Sequence, residues 1–111
     1  MTGNYSRYMG GHGYMNPFTT SFKLAWNGRR AFSLYPGVSD TGLYVRLPDA
    51  TKLPLGGPYF TVSNGGTPDF DIQDFDGAVI HTLANASAVM IFLLVQGTAA
   101  GTWITFEIGA L

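Results

Sequence analysis

Apolar and polar positions alternate in short bursts along this chain, and each burst stops at a turn signal. Phe22, Leu24 and Trp26 alternate with Lys23 and Ala25 before Asn27-Gly28, and a short apolar piece from Ala31 to Tyr35 ends at Pro36-Gly37. Leu43, Val45 and Leu47 alternate with Tyr44 and Arg46; residues 59–63 place Phe60 and Val62 on one side; Phe70 and Ile72 alternate with Asp69, Asp71 and Gln73. A period of two marks a strand with one buried face. Residues 79–83 follow the Asp76-Gly77 turn as another strand, and Ile104, Phe106 and Ile108 alternate with Trp103, Thr105 and Glu107 near the end. Glycines in Asn64-Gly65-Gly66 and Asp76-Gly77 suit reversals that need positive φ.

Residues 87–95, S-A-V-M-I-F-L-L-V, are apolar on both faces. This predicts a central strand covered on both sides; a helix is the competing reading, disfavoured by the shortness of the run and its flanking turns. Residues 48–58, with three prolines and two glycines, read as a loop. Seven or eight short strands with turns every 8–12 residues predict an all-β domain, an antiparallel β-sandwich of jelly-roll-like order. The expected core is Phe22, Leu24, Leu43, Val45, Phe60, Val62, Phe70, Ile72, Val89, Ile91, Leu93, Ile104, Phe106 and Ile108. Phe106→Ala is accordingly expected to open a cavity costing roughly 3–5 kcal/mol.

Residues 1–19 show neither period. They combine four glycines with Tyr5, Tyr8, Tyr14, Phe18 and three of the four methionines. A flexible tail lacks such aromatics, so residues 1–19 are expected to form an extended arm that lays Tyr5, Tyr8, Tyr14 and Phe18 on a partner, with the sandwich domain occupying 20–111.

Composition adds an assembly to this picture. Charged residues are 12% of the 111, about half the usual ~25%, and protein interfaces are where charge is depleted and aromatics are enriched. A surface covered simply by Thr, Ser and Gly is the plainer alternative. The net charge of −1 gives no field for nucleic acid or membrane. Cations concentrate early (Arg7, Lys23, Arg29, Arg30, Arg46) and anions late (Asp49, Asp69, Asp71, Asp74, Asp76, Glu107), a polarity neutralised within one subunit or between neighbours. No apolar run approaches the ~20 residues of a membrane helix, and no secretion signal is expected.

The residues assemble no recognisable chemistry. There is no cysteine, so no disulfide or thiol site. Asp69, Asp71, Asp74 and Asp76 run D-x-D-x-x-D-x-D-G, which lacks the order and distal glutamate of an EF-hand, so no metal is expected. His12 and His81 are far apart and too few for a cupin-type centre. No nucleophile–base–orienter set and no phosphate-cradling loop are visible, so neither catalysis nor a cofactor is expected. Arg29-Arg30 is too small a basic spot for nucleic acid.

Asn64-Gly65-Gly66, Phe70-Asp71-Ile72, Asp76-Gly77-Ala78-Val79-Ile80 and the stretch from Gly97-Thr98 through Gly101-Thr102-Trp103 resemble the strand-and-turn pattern of small virion proteins of tailed bacteriophages. The likeness covers the C-terminal half and is shared by capsid decoration proteins and by tail-fibre or spike domains. It implies a non-enzymatic structural role. For one domain with one arm, the length favours a decoration (cement) protein, a trimer that binds the major capsid protein on the surface of a virion assembled in the host cytoplasm. A tail-fibre, spike or baseplate component is the second reading. A carbohydrate-binding module, with Trp26, Trp103 and Tyr44 as its platform, is the third.

Overall fold

In a computed structural model describing residues 16–25, 28–54 and 59–110, the regular structure is β apart from one short 3-10 helix, Ala50–Lys52. The strands are β1 (Asn16–Pro17), β2 (Phe22–Lys23), β3 (Ala31–Tyr35), β4 (Tyr44–Arg46), β5 (Tyr59–Asn64), β6 (Phe70–Gln73), β7 (Val79–Leu83), β8 (Ser87–Val95) and β9 (Thr102–Ala110). They form a five-stranded sheet ordered β1-β3-β5-β8-β9 and a four-stranded sheet ordered β2-β4-β6-β7. The expected all-β class holds.

The pairing differs from expectation: both sheets are mixed. Up to β6 the chain alternates between the sheets, so that β1, β3 and β5 stack in parallel in one and β2, β4 and β6 in the other. Three rungs wind around a common axis, with Phe22, Val45 and Ile72 in register. Only then do β7, β8 and β9 add antiparallel to β6, β5 and β8. A jelly-roll order of antiparallel neighbours does not describe these sheets, because the turns after β3 and β5 carry the chain across to the other sheet instead of back beside itself.

Local chemistry explains these crossings. Gly65 and Gly66 do not have positive φ, which is confined among the described glycines to Gly42, Gly77 and Gly101. They are needed because the third rung lies directly on the second: a Cβ at Gly65 would overlap the Tyr35 ring, and one at Gly66 would overlap the Pro36 carbonyl. The Asp76-Gly77 reversal does follow expectation. Gly77 has φ 94°, and the Asp74 carboxylate accepts from the amides of Asp76 (2.9 Å) and Ala78 (3.0 Å). Asp49 caps the 3-10 helix, accepting from the Thr51 hydroxyl (2.7 Å) and amide (3.0 Å). Those bonds hold its carboxyl below the ordinary 3.8, so the cap is complete at neutral pH and is lost as the pH falls below that value.

Asn64 is fully buried at the end of β5. Its amide nitrogen donates to the carbonyls of Pro68 (2.9 Å) and Leu83 (3.0 Å), and its side-chain oxygen accepts from the Gly66 amide (2.9 Å). One side chain thus closes the crossing from β5 to β6 and holds the end of β7.

The core joins both sheets. Leu24, Val45, Phe60, Val62, Phe70, Ile72, Val89, Ile91 and Leu93 are buried as expected, and Phe22 and Leu43 pack at its margin. Three expectations are corrected. Phe18, assigned to an arm facing a partner, is 2% exposed in this core, edge-on to Phe70 (4.9 Å) and Phe22 (5.6 Å). The domain therefore includes β1 and Phe18, ahead of the expected boundary at 20. In β9 the faces are reversed: Ile104, Phe106 and Ile108 point outward, with Phe106 54% exposed. Nor is β8 covered on both sides, since Leu94 and Val95 are exposed. The strand orders give the reason. Five strands face four, so β9 overhangs the smaller sheet, and its inner side holds only the half-wet Trp103, Thr105 and Glu107.

Phe18→Ala should therefore cost roughly 3–5 kcal/mol by cavity formation, and Phe106→Ala less than about 1 kcal/mol in the single chain, as for other surface changes. Urea melts of the two variants at low protein concentration check this ordering. Asn64→Ala should cost roughly 1–3 kcal/mol, since it takes the partner from the buried Leu83 carbonyl and from the part-buried Pro68 carbonyl and Gly66 amide. A melt showing it no weaker than the exposed Asn85→Ala would contradict the role given to Asn64.

Candidate functional site

The two outer faces of the molecule are built from different chemistry. On the four-stranded sheet, Arg46 donates to the Gln73 side-chain oxygen (2.6 and 3.2 Å) with its guanidinium 4.7 Å from the Tyr44 ring. Beside it Thr82 donates to Asp71 (2.9 Å). These polar groups satisfy one another on a wet face.

The outer face of β5, β8 and β9 is apolar. Register sets Tyr59 opposite Phe92, Phe92 opposite Ile104, and Met90 opposite Phe106. The Tyr59, Phe92 and Phe106 rings form a chain with centroids 5.7 and 5.8 Å apart, the second contact edge-on. Leu94 and Ile108 sit where the β8–β9 register shifts and are among the most exposed large apolar residues. The only charged residue within the five strands of this sheet is Glu107. Its carboxylate turns to the inner side, 2.8 Å from Nε2 of His81 on β7. At the rim, Arg30 lies 5.9 Å from the Tyr59 ring.

The other residues singled out in the sequence are dispersed. Tyr5, Tyr8, Tyr14, His12 and Trp26 lie outside the described residues. Trp103 packs inward on Phe60 and on the small cluster of Ala50, Leu53 and Leu93, its indole N–H bonded to the Ala100 carbonyl (2.9 Å). Tyr44 is on the opposite sheet under Arg46, so Trp103 and Tyr44 share no binding platform. Asp74 is spent in its turn, while Asp69 and Asp71 line an open groove of about 340 Å³ with Thr41, Leu43, Pro68 and Thr82. Among the described residues no three His, Asp or Glu side chains come together as metal ligands. His81 and Glu107 join the edge strands of the two sheets, a half-exposed pair worth at most about 1 kcal/mol.

The apolar outer face was the feature that alternation alone misassigned. Its signal was present in β8, where apolar residues occupy both parities and one strand cannot bury both against a single core. No protein-family model matches the chain, and comparison with curated proteins and with solved structures finds no match.

Because Asp74 is committed to backbone amides and Asp71 to Thr82, addition of calcium or EDTA should leave the melting temperature unchanged. A calcium-dependent rise on the scale of ligand linkage, about 2.7 kcal/mol at a hundredfold excess over Kd, would show a site at Asp69–Asp76.

Proposed function

We propose that this chain is a non-enzymatic structural protein of a bacteriophage virion, a capsid decoration protein that stabilises the head by binding the major capsid protein. The observation that carries the structural role is the apolar face of β5, β8 and β9, a contiguous patch with no outward charge on its strands, the kind of surface that marks protein–protein contact. The scarcity of charge supports the same reading. The viral setting rests on the resemblance of the turns and strands between Asn64 and Trp103 to small virion proteins. In this reading the protein is homo-oligomeric, sits on the capsid surface after assembly in the host cytoplasm, and uses neither metal, cofactor, nucleic acid nor membrane.

The segment before β1 then serves attachment, with Tyr5, Tyr8 and Tyr14 as its anchors; Phe18 belongs to the domain core instead. A tail-fibre, spike or baseplate position is the second reading, supported by the same sequence resemblance. A carbohydrate-binding role has less support, since Trp103 and Tyr44 lie on different sides of the fold.

Electron microscopy of particles carrying the tagged protein should show copies distributed over the head. Label confined to the tail would select the second reading, and absence from purified particles would overturn the virion assignment. Deleting residues 2–15 should leave the thermal melt intact and weaken retention on heads after mild heating. Undiminished retention would make the segment passive and place attachment on the sandwich.

A further inference from the structure

We infer that the outer face of β5, β8 and β9 is covered by the same face of a second copy of this chain, in a two-fold, sheet-on-sheet pair. The inference deepens the assembly reading above by naming the occupant of that face. Three observations favour a second copy over other partners.

The first is extent. Tyr59, Leu94, Ile104, Phe106 and Ile108 are each roughly half exposed. With about half of ~200 Å² in water per large side chain, they leave roughly 500 Å² per copy. That makes about 1,000 Å² in a symmetric pair, where specific interfaces begin. The second is charge. A two-fold contact sets a surface against itself, so a charged patch there meets its own sign. This face has none to oppose, because Glu107 is turned away to His81 and Arg30 lies only at the rim. Among the described residues its strands carry no cation, and Arg30 at the rim is a single charge, less than the basic fringe by which an anionic membrane or an acidic partner is engaged. The third is geometry. The patch is a single continuous sheet surface, which packs on another sheet at about 10 Å. A three-fold ring requires two different contact patches on each copy. This continuous face suits the self-complementary contact of a two-fold, so a pair takes the place of the trimer expected from the virion resemblance.

Analytical ultracentrifugation of the full chain at micromolar concentration tests this. Wild type is expected at twice the 11.9 kDa of one chain, dissociating on dilution. Phe106→Asp should weaken the pair by roughly tenfold or more, the scale of a disrupted hot spot, with its circular dichroism unchanged. Val38→Asp, the same charge change on an exposed loop residue outside the face, should pair normally. If Phe106→Asp does not fold, Phe106→Thr keeps strand preference while removing the ring, and it should also shift the equilibrium towards the single chain. Deletion of residues 2–15 should leave the pair intact; its loss would mean that the N-terminal segment covers the face and would overturn the inference. So would a monomeric or trimeric wild type, or pairing untouched by Phe106→Asp and Phe106→Thr. A monomer that still decorates heads would sink the pair and spare the proposed function. A pair that never attaches to particles would do the reverse.

Discussion

The fold depends on Asn64, a polar residue buried where the chain changes its mode of construction. Up to Asn64 the strands are laid down in parallel rungs; after the next strand they return antiparallel. Such a change leaves backbone groups of several crossings close together in the interior, where an unpaired one costs about 1–3 kcal/mol. The Asn64 amide satisfies Pro68, Leu83 and Gly66, and its own carbonyl accepts from Ala86 at 2.8 Å. Apolar substitutes supply no such bonds, and a carboxylate would set negative charge against two carbonyls. Ala86 accepts a left-handed conformation, φ 60°, in the same junction.

The winding also determines which strand is left over. Three rungs place one strand in each sheet per turn, β7 adds a fourth to one sheet, and β8 and β9 bring the other to five. The extra strand is met from the smaller sheet only at its edge, where His81 of β7 reaches Glu107. Its inner side takes Trp103, which finds both apolar contacts and the Ala100 carbonyl, and Glu107, which reaches His81 at the margin. The large apolar residues of β9 are left to the outside beside those of β8, so the exposed face follows from a mismatch in strand number.

Much of this was legible in the sequence. Every alternating stretch from Ala31 onward contains a strand, and the inward residues of β4, β5, β6 and β8 follow the period of two. Turn chemistry was less informative, because Asn64-Gly65-Gly66 and Pro36-Gly37 announce a change of direction without saying whether the chain returns within a sheet or crosses to the other. The glycines that looked like reversal residues are required by close stacking on Tyr35 and Pro36, a contact between rungs some 30 positions apart in sequence. Phe18 was hidden for a similar reason: two-residue strands such as β1 are too short to show a period. In β9 the alternation was read correctly and its direction inverted, since period fixes which residues share a face but not which face meets the core.

The few charges of this chain are not thinly spread. Within the strands, Lys23, Arg46 and Asp71 belong to the four-stranded sheet, and the five-stranded sheet keeps only Glu107, turned inward. A protein that had merely substituted Thr, Ser and Gly for charge would show both faces alike. Here the polar side chains of the outer five-stranded face, Ser33, Thr61 and Ser63, occupy β3 and β5, and the surface becomes large and apolar towards β8 and β9. That gradient ends at an edge strand of nine residues whose sole charge is engaged elsewhere, lacking the outward lysines or proline by which exposed edges are normally protected from pairing. Low charge overall and its absence from this face are therefore a single property: among the described residues, the surface left apolar and exposed is also the one without outward charge.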